Sequence, residues 1–87
     1  MKTSSLATIP LSRLPVGESG VVETLPEYPE LRRRLMALGL IIGTTITAVN
    51  ASPAGDPRAY FFRGSLIALR QRDAATILLG NRSAVEV

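Results

Sequence analysis

The stretch LRRRLMALGLIIGT, residues 31–44, decides the fold because its pattern predicts a helix, a helix cap and a turn into a strand. Leu31, Leu35 and Leu38 fall within a stripe about 60° wide on a helix that we predict for residues 29–38. Such a stripe indicates that one side of the helix packs on a core while the opposite side faces water.

Three consecutive arginines in this helix raise the question of whether its exposed side binds a partner. On a helical wheel Arg32 and Arg33 point away from the leucine stripe, and Met36 lies between them in angle. One interpretation is a solvated helix face with one stray apolar residue. The other is a docking face, in which an adaptable methionine and two guanidinium groups bind an acidic partner. The residues alone leave both interpretations open.

Glycines mark three of the predicted turns. Gly39 follows the helix where a left-handed C′ residue is expected, and Leu40 is placed as the hydrophobic C″ residue. Gly43 is predicted to turn the chain into a strand over residues 44–49. Gly64 is predicted at the first position of a tight hairpin loop, with Gly-Ser as the loop pair.

The rest of the chain alternates short strands with turns. Strands are predicted at 21–25, 58–63, 66–70 and 78–79, a single helical turn at 72–77, and turn-forming segments at 14–20 and 50–57. Short strands, one or two helices and tight turns in 87 residues predict a single mainly β domain that forms a small, partly closed barrel. We assign residues 1–87 to it, with the core at about 11–79, a flexible N-terminus and a short C-terminal tail.

Composition limits the classes of function. Ten basic residues against seven acidic ones give a net charge of +3, a smaller excess than many nucleic-acid-binding modules carry. The chain has no cysteine and no histidine, which excludes disulfides, thiolate and imidazole metal ligands, and histidine-based catalysis. It also lacks the GxxxxGK[ST] pattern that cradles nucleotide phosphates. We therefore predict a protein that is not an enzyme and holds no cofactor.

The seven carboxylates are scattered, so we expect at most weak, carboxylate-bound divalent metal. A weak homo-oligomer, in which carboxylates of two chains meet, is a better place for such a cation than a single chain. No apolar run approaches the roughly 20 residues that span a bilayer, and the N-terminus lacks the apolar core of a signal peptide. We expect a cytoplasmic protein without direct membrane insertion.

With its elements in this order, the sequence resembles the FeoA family. The resemblance rests on three segments, LSRLPVGESGVV at 11–22, LRRRLMALGLIIGTTITAV at 31–49 and GDPRAYFFRGSLIALRQRDAATILL at 55–79. Its most specific motif is Arg-Leu-x-x-Leu-Gly-Leu-x-x-Gly-Thr at 34–44, and Gly-Asp-Pro and Ala-Leu-Arg follow it in order. Ile42 departs from the family pattern, in which proline is frequent at this position. The two glycines of the motif, Gly39 and Gly43, are kept.

The resemblance implies an SH3-like β-barrel with short helices. It also implies a non-enzymatic adaptor or regulator of ferrous iron uptake that contacts the cytoplasmic GTPase region of a FeoB-type membrane iron transporter. The protein would then be recruited to the inner membrane through that transporter, and Arg32, Arg33 and Met36 would be the docking residues. The alternative is a nucleic-acid or transcription-regulator SH3-like module. No DNA-reading helix precedes the predicted barrel, so we expect no nucleic-acid partner.

Overall fold

A computed structural model describes residues 8–51 and 53–84 of the chain. In chain order its elements are β1 Ile9–Pro10, a 3₁₀ turn Leu11–Arg13, β2 Glu18–Thr24, α1 Pro29–Ala37, β3 Thr45–Ala51, β4 Arg58–Phe62, β5 Ser65–Leu69, α2 Gln71–Ala74 and β6 Leu78–Ala84. The strands form one antiparallel sheet in the order β1-β6-β2-β3-β4-β5. The predicted mainly β domain with short helices is confirmed. The sheet ends at β1 and β5, so across the described strands the barrel is open.

A single core collects side chains from the sheet, from α1 and from the 3₁₀ turn. Alternation along β4 shows how the sheet supplies it, since Tyr60 and Phe62 are buried and Phe61 between them is exposed. The largest fully buried side chains are Tyr60, Phe62, Leu11, Leu14, Leu35, Leu40, Ile46, Ile77, Leu79, Val22 and Pro26. The helix therefore covers the sheet through leucine while its arginines face outward.

The C-terminal end of α1 is a Schellman cap that carries the chain back into the core. The Leu40 N–H donates to the Leu35 carbonyl at 2.9 Å, and the Gly39 N–H donates to the Met36 carbonyl at 3.0 Å. This pair of bonds requires a left-handed residue at C′, and Gly39 has a φ of 102°. Leu40 is fully buried, so the cap is also a packing contact.

The predicted leucine stripe holds for two of its three positions. Leu31 and Leu35 are buried, but Leu38 is 45% exposed, so the prediction for Leu38 is wrong. The helix ends at Ala37, and Leu38 is its C-cap residue. At this end of the helix the cap reverses the chain, and Leu40 instead of Leu38 is buried in the core.

The β4–β5 hairpin turns one residue earlier than predicted. Phe62 pairs with Ser65, so the two loop residues are Arg63 and Gly64, with φ values of 50° and 81°. Two consecutive positive φ values are typical of a type I′ turn, and Gly64 takes its second position instead of the first. The prediction failed because arginine rarely adopts a positive φ.

Strand β6 is longer than the two residues predicted for it. It includes residues 80–84 of the predicted tail, and these residues continue the pairing with β2. Asn81 has a φ of 46°, in a stretch where the β2–β6 register shifts. Residues 80–84 are small or polar and include the bulge, so they show no alternation of apolar and polar side chains. The sequence pattern therefore did not predict this part of the strand. The rest of the predicted tail, 85–87, and residues 1–7 of the predicted flexible N-terminus lie outside the described residues.

Two more strand segments occupy positions predicted as turn or flexible chain. Strand β2 begins at Glu18, and Gly20 is buried within it, paired with Ile46. A Cβ on Gly20 would lie 3.0 Å from the Leu79 Cδ1 atom, so the missing side chain permits close packing instead of breaking the strand. Strand β1, next to the N-terminal residues, pairs with β6.

The two leucines at the end of α1 give a test of the core. Leu35→Ala is expected to lower the free energy of unfolding by about 2–5 kcal/mol, because it removes a fully buried side chain and leaves a cavity. The matched control, Leu38→Ala, is expected to cost no more than about 1 kcal/mol, since that side chain is nearly half exposed. Urea denaturation followed by circular dichroism measures both. Equal losses would contradict this description of the helix face.

Candidate functional site

The candidate site is the exposed face of α1. Arg32 and Arg33 are exposed, and Met36 is 46% exposed. Together with Pro29 and Ala37 these three residues line one shallow depression on the helix. The residues predicted to bind a partner therefore share a single surface, in which an apolar side chain lies beside two guanidinium groups.

A second groove begins on the other side of Arg33 and extends toward α2. Arg33, Arg34 and Arg72 line it, and Glu30 and Asp73 supply the only carboxylates among its lining residues. Three cations against two anions leave the groove with a basic excess. Because Arg33 lines both the depression and the groove, the basic surface continues from α1 to α2.

Sequence reasoning missed two contributors to this surface, Tyr28 and Arg72. Tyr28 is 66% exposed and precedes α1, where its carbonyl accepts the Arg32 N–H at 2.9 Å. Pro29 follows at the start of the helix, where its fixed φ is favourable. Arg72 lies far along the chain, and only the folded structure brings it to the groove. For Tyr28 the sequence offers one signal, an aromatic residue directly before the proline that starts the helix. For Arg72 it offers none.

The loop that contains the Gly-Asp-Pro motif sets the position of α2. The Gln71 N–H donates to the Asp56 carboxylate at 2.9 Å, and the Gln71 side-chain amide donates to the Gly55 carbonyl at 3.1 Å. The N-cap residue of α2, Arg70, makes no side-chain cap bond. Asp56 therefore satisfies an N–H group of the first turn from a different segment of the chain, which fixes the start of α2.

The turn after α1 presents two isoleucines to solvent. Ile41 is 46% and Ile42 is 62% exposed. The Ile41 N–H donates to the buried Thr44 hydroxyl at 3.1 Å, and the Gly43 N–H donates to the Val22 carbonyl at 2.8 Å. Gly43 adopts a φ of 95° at this turn. These bonds fix the turn to β2 and hold two apolar side chains outward, a feature that the sequence pattern did not predict.

Arg58 is a buried arginine whose contacts are internal. It donates to the Ser12 carbonyl at 2.9 Å and to the Leu14 carbonyl at 2.6 Å. Its guanidinium carbon lies 5.5 Å from the centre of the Tyr60 ring. Burial raises the pKa of the Tyr60 phenol, and the positive charge of Arg58 opposes part of that rise. Arg58 therefore joins β4 to the loop before β2 and belongs to the scaffold.

Two features bear on metals and membranes. Among residues 8–51 and 53–84 there is no group of three or more acidic, histidine or cysteine side chains close enough to hold a metal ion. In the same residues neither helix has the length and apolar character needed to cross a membrane.

Comparison with known families gives a match over most of the chain. The profile of the family described as FeoA domain matches residues 9–80. A fusion protein of Porphyromonas gingivalis, named as Fe(2+) transport protein A joined to the Fe(2+) transporter FeoB, is 34% identical over 67 residues, which are 77% of this chain. The matched part is 8% of that curated relative, so the chain spans a small fraction of its length.

Solved structures of the same family share the fold. The solution structure of FeoA from Chlorobium tepidum is 34% identical, with a TM-score of 0.78 over 82% of this chain and 68% of that one. The crystal structure of Stenotrophomonas maltophilia FeoA, described as an SH3 domain protein and complexed with zinc, is 27% identical, with a TM-score of 0.76 over 91% of this chain and 98% of that one. The SH3-like fold that the resemblance implied is confirmed.

The buried fork of Arg58 can be tested by a conservative change. Arg58→Lys is expected to lower the free energy of unfolding by about 1–3 kcal/mol, because one ammonium group lacks the planar fork that reaches both loop carbonyls. Arg63→Lys on the exposed hairpin turn is the matched control, and its effect is expected to stay within about 0.5 kcal/mol. Thermal and urea unfolding measure the difference. Two variants of equal stability would show that the buried contacts contribute nothing.

Proposed function

The chain belongs to the FeoA family, and from that premise we propose that it serves ferrous iron transport as a non-enzymatic adaptor. Its target is the cytoplasmic GTPase region of a FeoB-type transporter. The relative from Porphyromonas gingivalis carries this proposal, because there a segment similar to this chain is fused to FeoB. Fusion keeps two domains at a high effective concentration, which favours a contact between them.

The α1 surface has the composition of a docking face for an acidic partner. Arg32 and Arg33 are exposed on either side of Met36, which supplies an adaptable apolar contact. In such an interface the methionine contributes apolar surface that is buried on binding. The guanidinium groups steer association and fix the orientation of the partner. Arg33 also borders the groove toward α2, so a partner that covers α1 can extend its contact there.

In this function the adaptor works in the cytoplasm and reaches the inner membrane by binding the transporter. The ferrous ion is the cargo of the transporter and is not held by this chain. Cysteine and histidine are absent from the whole sequence, and tight ferrous sites usually contain thiolate or imidazole ligands. The adaptor therefore acts on the protein that handles iron, through surface contact.

Metal titration tests whether iron stays with the transporter. We expect the untagged protein to bind Fe²⁺ no more tightly than scattered carboxylates allow, because it offers no imidazole or thiolate. Anaerobic calorimetry at neutral pH measures this, with Zn²⁺ titrated in parallel because a relative was crystallised with zinc. A stoichiometric, submicromolar Fe²⁺ isotherm would overturn this part of the proposal.

Charge reversal on α1 tests the docking face. The double variant Arg32→Glu, Arg33→Glu is expected to lose most of its binding to the cytoplasmic region of FeoB, because like charges then face an acidic partner. Met36→Asp is expected to weaken binding as well, through loss of the apolar contact. Both variants change exposed side chains, so their unfolding free energies should stay within about 0.5–1 kcal/mol of the parent.

The matched control reverses two other exposed arginines, Arg13→Glu and Arg70→Glu, which gives the same net charge away from the α1 depression. This control is expected to keep most of its binding in a pull-down with the transporter region. Full binding by the Arg32, Arg33 variant would show that these arginines are only the solvated side of the helix. A salt series with duplex DNA tests the alternative function as a nucleic-acid module. Such a module would bind the duplex, and its affinity would fall steeply as the salt concentration rises.

A further inference from the structure

Strand β5 is an edge strand that lacks the usual protection of edges. It is the last strand in the sheet order, and its sequence Ser65–Leu69 contains no charged residue. Leu66 is 62% exposed on its outer face and pairs with Phe61, itself 45% exposed. Edges are normally blunted by charge, proline or shortness. At the opposite end of the sheet, β1 is protected in this way, because it has two residues and one of them is proline.

The register of the hairpin shows which main-chain groups β5 leaves free. A two-residue loop makes Phe62 and Ser65 the first hydrogen-bonded pair, and bonded and non-bonded pairs then alternate along the ladder. The Phe61–Leu66 and Ala59–Ala68 pairs are therefore non-bonded. The N–H and carbonyl groups of Leu66 and Ala68 point away from β4, and in the described part of the chain no main-chain bond beyond the sheet reaches them.

We propose that two copies of this chain pair through β5 in antiparallel fashion about a two-fold axis at Ile67. In this register Leu66 of each copy lies opposite Ala68 of the other. Each of these two pairs exchanges an N–H and a carbonyl in both directions, so the contact makes four main-chain hydrogen bonds. An axis at Leu66 or at Ala68 would pair one of these residues with main-chain groups outside β5. With the axis at Ile67, all four hydrogen bonds are made between residues of the two β5 strands.

The side chains are compatible with this pairing. On the outer face, Leu66 of one copy contacts Ala68 of the other, and the half-exposed Phe61 extends the apolar strip on each side. Ile67 meets its own symmetry mate in a non-bonded pair, where side chains approach most closely.

Charges do not oppose the contact. In the same register Arg63 lies opposite Gln71 of the second copy, and Arg70 lies opposite Gly64, so no arginine faces an arginine. The pairing adds to the proposed function but does not rest on it, since no transporter takes part.

Sedimentation velocity from micromolar to millimolar concentration tests the pairing. The parent is expected to shift from monomer to dimer as concentration rises. Ala68→Pro is expected to remain monomeric, because it removes an N–H that points to the free edge and leaves the β4 ladder intact. Ala68→Lys is a second variant with the same expectation, since it changes an exposed side chain and puts a charge on the edge.

Cross-linking gives an independent test, because the natural sequence has no cysteine. In the proposed pair the two Ile67 Cα atoms lie about 4.5 Å apart, within the range of a disulfide. Ile67→Cys is expected to form a covalent dimer on oxidation. Ser65→Cys, on the same strand and face, lies opposite Leu69 of the second copy and is expected to form no covalent dimer on oxidation. A parent that stays monomeric throughout, Ala68 variants that dimerise like the parent, or equal cross-linking of both cysteine variants would each overturn the proposal.

Discussion

The reversal of the chain at the end of α1 is the constraint on which the rest of the structure depends. A helix that packs on a small sheet must end abruptly, or its next turn would leave the core. The left-handed Gly39 permits two carbonyls of the last turn to be satisfied by the Schellman bonds. The same reversal inserts Leu40 into the core, so hydrogen bonding and burial favour one conformation of the backbone.

This reversal also divides the segment into a buried part and an exposed part. Leu40 and Thr44 are buried, whereas Ile41 and Ile42 between them are exposed and held by bonds to Thr44 and β2. A turn whose conformation is already fixed loses little conformational entropy when a partner binds over it. The exposed apolar side chains after α1 therefore lie on rigid backbone, and so does the arginine face of the helix before them.

The sequence was informative where local chemistry alone decides the backbone, and misleading where distant packing decides it. The helix start at Pro29 and the left-handed Gly39 follow from proline and glycine chemistry. Leu38 was misjudged because the helical wheel does not account for the cap that brings Leu40 back to the core. Gly20 falls in the turn predicted at 14–20, but in the structure its small size is required by Leu79, a residue from the far end of the chain.

The candidate site divides in the same way. Arg32, Arg33 and Met36 come from one helix, so the 3.6-residue period was sufficient to predict that they share a face. The groove that continues this face includes Arg72, which reaches it because Asp56 caps α2 from another loop. No period or local motif encodes a contact of that kind. Sequence reasoning therefore found the centre of the surface and not its extent.

The proposed docking face on α1 and the proposed pairing edge on β5 are compatible with each other. Pairing through β5 uses the main chain of Leu66 and Ala68, whereas the docking face uses side chains of α1, and the two sets have no residue in common. The type I′ turn lies between them, since the Arg63 side chain runs beside Gly39 at the helix cap. In a pair joined through β5, each copy would still present its own arginine face. Such a pair would be bivalent, so even a weak contact on each face would gain by avidity where transporters are close together in the membrane.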